Sequence, residues 1–235
     1  MISKSHFEKV SFDQYYNDRL DYLDFDSNHA YLSENGIFDD NIWDKCFNGD
    51  ALKDHIKPDS LIEAKLKQLF YSEYQDISIP TRGTRLSAGY DFICPFNIDI
   101  KFSNKLPIKI PTGIRYVVDE SEMNPENIHT LKLYPRSSTG IKKGLCLTNG
   151  VGIIDIDYFE SDNEGDIIVS LNPVLNKDVV DWIRKNENTE STNAVINRGE
   201  KFAQGILVPI IITEDDAMTF YEKNRRNGGI GSTGK

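Results

Sequence analysis

The 235-residue sequence predicts a mainly β fold, a barrel or jelly roll, with added helical segments. From Ile77 onward, short runs rich in Ile, Val, Phe and Tyr alternate with Gly, Pro, Asn and Asp. This pattern is typical of many short strands joined by tight turns. Residues 1–75 carry helix signals instead. We therefore divide the chain into a helical N-terminal extension, 1–75, and a β domain, 76–235.

Two capping boxes mark helix starts in the N-terminal extension. Ser11–Gln14 reads Ser-Phe-Asp-Gln and Ser60–Glu63 reads Ser-Leu-Ile-Glu. In such a box a hydroxyl and a side chain three residues later satisfy free N–H groups at the start of a helix. The second box precedes an apolar stripe at helical spacing, formed by Ile62, Leu66, Leu69 and Phe70. Both boxes therefore predict helices.

The β domain contains a series of short strand-like runs separated by turn residues. In chain order they are ISIP, YDFICPF, IDIKF, PIKIPTGIRYVV, HTLKLY, VGIIDIDYF, DIIVSL and FAQGILVPIIIT. Between the last two, residues 176–197 place Val179, Val180 and Ile183 on a polar background, which predicts a surface helix inserted between strands. Residues 224–235 contain four glycines, and we expect this C-terminal arm to be flexible until a ligand orders it.

Charge and composition exclude several classes of function. The formal net charge is -10 and the isoelectric point is near 4.9, which argues against binding to a nucleic acid polymer. The three cysteines are far apart, so the sequence indicates neither a disulfide framework nor a Cys-x-x-Cys metal site. No apolar run approaches the ~20 residues of a membrane span or forms a signal peptide. We expect a cytoplasmic protein, or one in the host cytoplasm if the source is viral.

Tyr134–Gly140, YPRSSTG, has the composition of a phosphate-binding loop. Arginine offers a rigid fork of donors for phosphate oxygens, hydroxyls and backbone N–H groups add more, and glycine allows close approach of the backbone. A polar loop after a strand is the alternative interpretation of this segment taken alone.

Asn149–Tyr158, NGVGIIDIDY, places two carboxylates at alternate positions. In a strand, Asp155 and Asp157 would share one face roughly 7 Å apart, and Ile154 and Ile156 the other. One carboxylate near a phosphate-binding loop could act as a general base. The alternative is a solvated strand face.

Taken in order, these segments resemble the five motifs of the trimeric dUTPase family, from about Ile79 to the end of the chain. The further motifs are PTRGTRLSAGYDF (80–92), RGEKFAQGILVP (198–209) and NRRNGGIGSTGK (224–235). The resemblance implies a dUTPase-type barrel, a homotrimer with active sites between subunits, Mg²⁺ as cofactor, and hydrolysis of dUTP to dUMP and pyrophosphate. That reaction keeps uracil out of DNA and supplies dUMP for thymidylate synthesis.

The resemblance also implies roles for individual residues. Asp155 would activate the attacking water, and Asp91 would contact the metal through water. The phosphates would be held by Arg136, Ser137, Ser138 and Gln204. Uracil would be bound by the backbone of the hairpin that Asn149 opens, including Gly152 and Ile154, while Tyr158 would pack under the deoxyribose and exclude a 2′-hydroxyl.

The C-terminal arm would close over the bound nucleotide. Arg225 would reach the γ-phosphate, although Arg226 is an alternative, and Gly231, Ser232 and Thr233 would cover the phosphates. Ile230 stands where the family usually has an aromatic residue, so apolar cover would replace stacking on uracil.

Two alternative functions follow from the same sequence. One is a dUTPase scaffold that also or instead binds a regulatory protein partner, through residues 1–75 or 176–197. The other is dCTP deaminase, a related fold with a similar Arg-Ser-Ser phosphate loop.

Overall fold

The computed structural model describes residues 3–25, 56–101, 107–174 and 193–223. Its helices are α1 (Phe12–Phe25), α2 (Leu61–Asp76) and α3 (Glu214–Met218). Its strands are β1 (His6–Lys9), β2 (Thr81–Arg82), β3 (Tyr90–Ile93), β4 (Ile98–Lys101), β5 (Ile108–Pro111), β6 (Ile114–Val117), β7 (His129–Pro135), β8 (Leu145–Leu147), β9 (Gly152–Ile154), β10 (Ile168–Pro173), β11 (Asn193–Ile196) and β12 (Lys201–Pro209). The predicted mainly β fold is confirmed.

The strands pair antiparallel in several sheets. The largest has the order β2-β3-β12-β7-β9, a second has the order β5-β10-β8, and β1 pairs with β6 and β11 with β4. Leu131 of β7 lies opposite both Leu207 of β12 and Ile154 of β9. The long central strands β7 and β12 thus carry the segments predicted to bind the nucleotide.

One continuous core joins the sheets to the N-terminal extension. Phe92 and Phe202 of the large sheet, Val169 of β10, Leu66 of α2 and Tyr15 of α1 are all buried in the same cluster. Helix α1 packs against β5 and α2 packs against α1, so these two helices share the core of the strands.

Both predicted capping boxes begin helices. Ser11 Oγ accepts from Gln14 N at 3.1 Å, and Ser60 Oγ accepts from Glu63 N at 3.2 Å. The prediction of a mostly helical extension did not include β1, which pairs with β6 along its whole length. Four residues with a single large apolar side chain, Phe7, give too little alternation to be recognised as a strand.

A buried ion pair connects α1 to α2. Arg19 Nε donates to Glu73 Oε2 at 2.8 Å, and the Tyr15 hydroxyl donates to the same oxygen at 3.2 Å. The Arg19 guanidinium also lies 3.5 Å from the ring centroid of Phe96, which follows β3. These contacts fix both helices against the barrel.

The predicted helical insertion at 176–197 is corrected at its C-terminal end, where the chain forms β11. Ala194 and Ile196 are buried and Val195 is exposed, which is strand alternation. Three residues of alternation at the end of a long polar run are too few to stand out in the sequence. The rest of the predicted insertion, 176–192, lies outside the described residues, as does the C-terminal arm. Within the described ranges, no helix is both long enough and apolar enough to cross a membrane.

Candidate active site

A cavity of about 410 Å³, called the hairpin cavity after the predicted hairpin, opens beside the turn between β8 and β9. The prediction is corrected here, because β8 pairs with β10 and β9 pairs with β7, so the turn connects two sheets. Its lining includes the four residues predicted to hold uracil and deoxyribose, namely Asn149, Gly152, Ile154 and Tyr158. Leu133, Leu147 and Val169 add apolar walls, while Thr148 and Ser170 add hydroxyls. A partly apolar cleft with a few polar groups is the expected shape of a small-ligand site.

Backbone hydrogen bonds and two glycines, Gly150 and Gly152, shape the turn between β8 and β9. Gly150 has φ +74°, a region that favours glycine, and its N–H donates to Leu147 O at 3.0 Å. Gly152 lies so close to β7 that a Cβ there would meet Leu133 Cβ at 3.0 Å. Glycine at these positions therefore permits the tight turn and the close approach of β9 to β7.

The structure corrects the predicted alternation of Asp155 and Asp157. Strand β9 ends at Ile154, and the Asp155 carbonyl accepts from Tyr158 N at 3.1 Å to begin a 3-10 turn over Tyr158–Glu160. Asp155, Ile156 and Asp157 consequently line a second cavity together, of about 540 Å³, rather than alternating between two faces. His129, Glu120 and Lys223 line the same cavity.

Tyr158 is buried and held at its hydroxyl. Its Oη donates to Asp166 O at 3.2 Å and accepts from Asn163 Nδ2 at 3.0 Å. The ring is thereby fixed in the wall of the hairpin cavity.

The predicted phosphate-binding arginine is anchored by a buried carboxylate. Arg136 follows β7 and pairs with Oδ1 of Asp91, whose other oxygen lies 3.0 Å from Lys201 Nζ. The Asp91 side chain is only 2% exposed, whereas Arg136 is 36% and Lys201 49% exposed. One buried carboxylate thus orients two cations that reach solvent.

Gln204 lies in β12 beside this ion-pair network. In the sheet register it sits between Asp91 of β3 and Tyr134 of β7. Gly89 makes room for it, since a Cβ at position 89 would meet Gln204 Oε1 at 2.8 Å. The Gly-Tyr-Asp centre of the first motif therefore supports both Gln204 and Arg136.

Ser137 and Ser138 begin a π-helical turn, Ser138–Lys142, directly after Arg136. Ser137 is exposed and its side chain makes no capping hydrogen bond. Thr139 is buried and donates through Oγ1 to Phe202 O at 2.7 Å, which fastens the turn to β12.

Asp155 and Arg136 lie at opposite ends of the β7–β9 pairing. Leu131 pairs with Ile154, so Asp155 sits beside Thr130, six residues along the strand from Arg136. At a rise of about 3.3 Å per residue, the two Cα positions are roughly 20 Å apart.

Similar proteins agree on one family. No family model matches the sequence. The deoxyuridine 5′-triphosphate nucleotidohydrolase of Lactococcus lactis is 35% identical over 159 residues, which cover 67% of this chain and 89% of that protein. The chain belongs to the dUTPase family. The corresponding proteins of Pseudomonas putida and Legionella pneumophila (strain Paris) are 31% and 28% identical over 160 residues, each covering 68% of this chain and 89% and 88% of the relative.

A solved dUTPase structure, from Streptococcus mutans, is 27% identical with a TM-score of 0.43, covering 58% of this chain and 88% of that one. Family membership makes the chain a hydrolase.

Five residues assigned to the C-terminal arm lie outside the described ranges: Arg225, Ile230, Gly231, Ser232 and Thr233.

Sequence reasoning missed Lys201 and Asn163. Lys201 meets Asp91 only because β12 pairs with β3, and that register cannot be read from the motif. The run Asp162-Asn163-Glu164-Gly165 carries a turn signal that could have marked Asn163, since such residues hydrogen-bond locally and accept positive φ.

Proposed function

We propose that this chain hydrolyses dUTP to dUMP and pyrophosphate, with uracil and deoxyribose in the hairpin cavity and Asp155 as the base. The observation that carries this is the convergence of Asn149, Gly152, Ile154 and Tyr158 on one cavity, with Asp155 directly after the strand that forms its wall. Four residues assigned from the third motif thus line one cavity.

The reaction would use water, activated by Asp155, to attack the α-phosphorus in line with the leaving pyrophosphate. Because charge develops on the leaving group, catalysis depends on positioning and electrostatic stabilisation. Arg136, with Ser137, Ser138 and Gln204, would supply donors to the phosphates. The close hairpin would leave no room for the 5-methyl group of thymine, and cytosine would leave backbone donors and acceptors unpaired.

Mg²⁺ is the proposed cofactor and would enter with the triphosphate, whose oxygens are the hard ligands it prefers. Among the residues that the structure describes, no group of three or more His, Cys, Asp or Glu could hold a metal ion. Asp91 would contact it through water while sharing its carboxylate with Arg136 and Lys201.

The separation of Asp155 from Arg136 supports an active site built from more than one copy of the chain. A span of roughly 20 Å exceeds what the α-phosphate and the rest of one triphosphate chain can bridge. We therefore propose a homotrimer, in which the hairpin of one subunit faces the Arg136 turn of another. Ile211, Met218 and Tyr221, which are 98%, 75% and 78% exposed, give the single chain apolar surface that a second copy could cover.

Replacing Asp155 tests the assignment of the base. Asp155→Asn should still bind dUTP but lose roughly 10²- to 10⁴-fold in Mg²⁺-dependent turnover, the contribution typical of a general base. Asp157→Asn, on the same turn, is the matched control and should retain most activity. Near-normal turnover in Asp155→Asn would refute the assignment.

Mixing two impaired variants tests the shared site. Trimers reassembled from Asp155→Asn and Arg136→Gln chains should regain activity, because some sites would combine Asp155 of one subunit with Arg136 of another. Each variant alone should gain no activity after the same treatment. Absence of recovery in demonstrably mixed trimers would place both residues in one subunit's site.

The dCTP deaminase alternative is not favoured, because the relatives are nucleotidohydrolases. A panel of dUTP, UTP, dTTP and dCTP, assayed for pyrophosphate and for ammonia, separates the two reactions. A partner-binding role for residues 1–75 or 176–197 stays a prediction, which a pull-down with the full chain would test.

A further inference from the structure

The loop after Tyr158 connects the proposed deoxyribose pocket to the N-terminal extension. Residues 159–166 follow Tyr158 and reach the start of helix α1, where Glu164 contacts Ser11. Two side chains in this loop, Asn163 and Glu164, make the decisive contacts.

Asn163 fixes the Tyr158 hydroxyl from inside the loop. Its Nδ2 donates to Tyr158 Oη at 3.0 Å and to Asp166 O at 3.3 Å. Its Oδ1 accepts from Ser161 Oγ at 2.7 Å and from Gly165 N at 3.2 Å. Since Gly165 N can only donate, the amide has one satisfactory orientation, with its NH₂ group toward Tyr158.

Glu164 ties the same loop to the start of α1. Its carboxylate accepts from Ser11 N at 2.8 Å and from Ser11 Oγ at 2.7 Å. Burial acts to raise the pKa of Glu164, but these bonds outweigh it and lower that pKa, so the carboxylate is ionised at neutral pH. Glu164 thereby fills the place that Gln14 was predicted to take in the capping box.

The backbone of the loop turns tightly at Glu164 and Gly165, where both residues have positive φ. Glu164 has φ +53° and Gly165 has φ +75°. A Cβ at Gly165 would lie 2.4 Å from Phe159 Cα, so the turn closes tightly against the residue after Tyr158. A shift at Glu164 would therefore be transmitted to Asn163 and to the Tyr158 ring.

We infer that Asn163 is a positioning residue for Tyr158, and that α1 acts through Ser11 and Glu164 to hold the ring against the deoxyribose. This rests on the proposed function, in which Tyr158 excludes the 2′-hydroxyl. It assigns the N-terminal extension a role in choosing dUTP over UTP. A ring that is free to tilt would open space for the additional hydroxyl.

The test is the ratio of kcat/KM for dUTP to that for UTP in two variants. Asn163→Asp keeps the side-chain shape but replaces the donor to Tyr158 with an acceptor that also faces Asp166 O. It should raise KM for dUTP and lower the ratio roughly 3- to 10-fold, the effect of about one hydrogen bond. Asp162→Asn, an exposed position in the same loop, is the control and should leave the ratio unchanged.

Glu164→Asn tests the connection to α1 separately and decides the matter if Asn163→Asp does not fold. Asn is among the non-glycine residues that most readily adopt positive φ, yet it is too short to reach Ser11. We expect the ratio to fall roughly 2- to 5-fold. A purely structural effect would reduce the active fraction, lowering kcat equally for both substrates and leaving KM and the ratio unaltered.

The outcomes distinguish this inference from the function on which it rests. Wild-type enzyme without dUTP hydrolysis would overturn the proposed function. Wild-type enzyme that hydrolyses dUTP, with unchanged substrate ratios in whichever of the two variants fold, would overturn the inference alone.

Discussion

Replacing Asp91 with Asn should reveal how the buried carboxylate supports Arg136. The substitution preserves shape but removes the charge shared by Arg136 and Lys201. Breaking a fully buried ion pair costs about 3–5 kcal/mol, and a surface pair is worth at most about 1 kcal/mol. Asp91 is buried while both partners are partly exposed, so we expect a loss of about 1–3 kcal/mol in the free energy of unfolding.

We expect Asp91→Asn to lower activity by changing the orientation of Arg136. A guanidinium without its anchor would bind the phosphates in a less favourable orientation, and we expect kcat/KM to fall roughly tenfold, equivalent to about 1.4 kcal/mol. Lys201→Met removes only the more exposed cation. It should therefore reduce both the free energy of unfolding and kcat/KM by less than Asp91→Asn does.

A double-mutant cycle provides the deciding assay. If Asp91 acts by orienting Arg136, the variant with both Asp91→Asn and Arg136→Gln should have the kcat/KM of Arg136→Gln alone. If Asp91 acts chiefly through metal-bound water, the losses should add, and Asp91→Asn should require more Mg²⁺ for half-maximal activity. Additive losses with a shifted Mg²⁺ requirement would refute the positioning role.

Two further predictions concern buried carboxylates in the core. Glu73→Gln leaves Arg19 buried without its counter-charge and should lower the free energy of unfolding by about 3–5 kcal/mol in urea titrations. Lys67→Gln, which breaks the exposed Glu63 pair, should cause no measurable change, and equal losses in both would contradict this. Burial, with the nearby Asp18, raises the pKa of Asp166 well above its usual range, so the folded state retains a proton that the unfolded state releases. Stability from this group therefore falls as pH rises from about 4 toward the folded pKa; Asp166→Asn should become progressively more stable than wild type over that window, and a pH-independent difference would contradict it.

Much of the fold followed from local chemistry. The hydroxyl and acidic residues at Ser11–Gln14 and Ser60–Glu63 predicted both helix starts, since capping depends on neighbours within one turn. The β runs were likewise recognisable wherever alternation extended over several residues. Strands β1, β2, β8 and β11 were not predicted, because none of them lies in a run of more than four β-type residues. The predicted run ISIP, in turn, forms no strand.

Part of the candidate site could likewise be predicted from the sequence, and part could not. Tyr134–Gly140 and Asn149–Tyr158 were recognisable as motifs, and the structure brings Asn149, Gly152, Ile154 and Tyr158 to one cavity. The strand alternation expected at Asp155 was wrong, because a turn bonded to its carbonyl ends β9 at Ile154.

The sequence by itself determined the residue types on which the proposed chemistry depends: the Asp155 carboxylate, an arginine with two serines, and a tyrosine three residues after Asp155. Only the tertiary structure decided that Asp91 anchors Arg136, that Glu164 completes the cap of α1, and that Asn163 holds Tyr158. The first two contacts join segments far apart in sequence, and their proximity arises from packing of the whole core, which no local pattern specifies. Asn163 and Tyr158 are only five residues apart, and they meet because the loop between them closes tightly at Gly165.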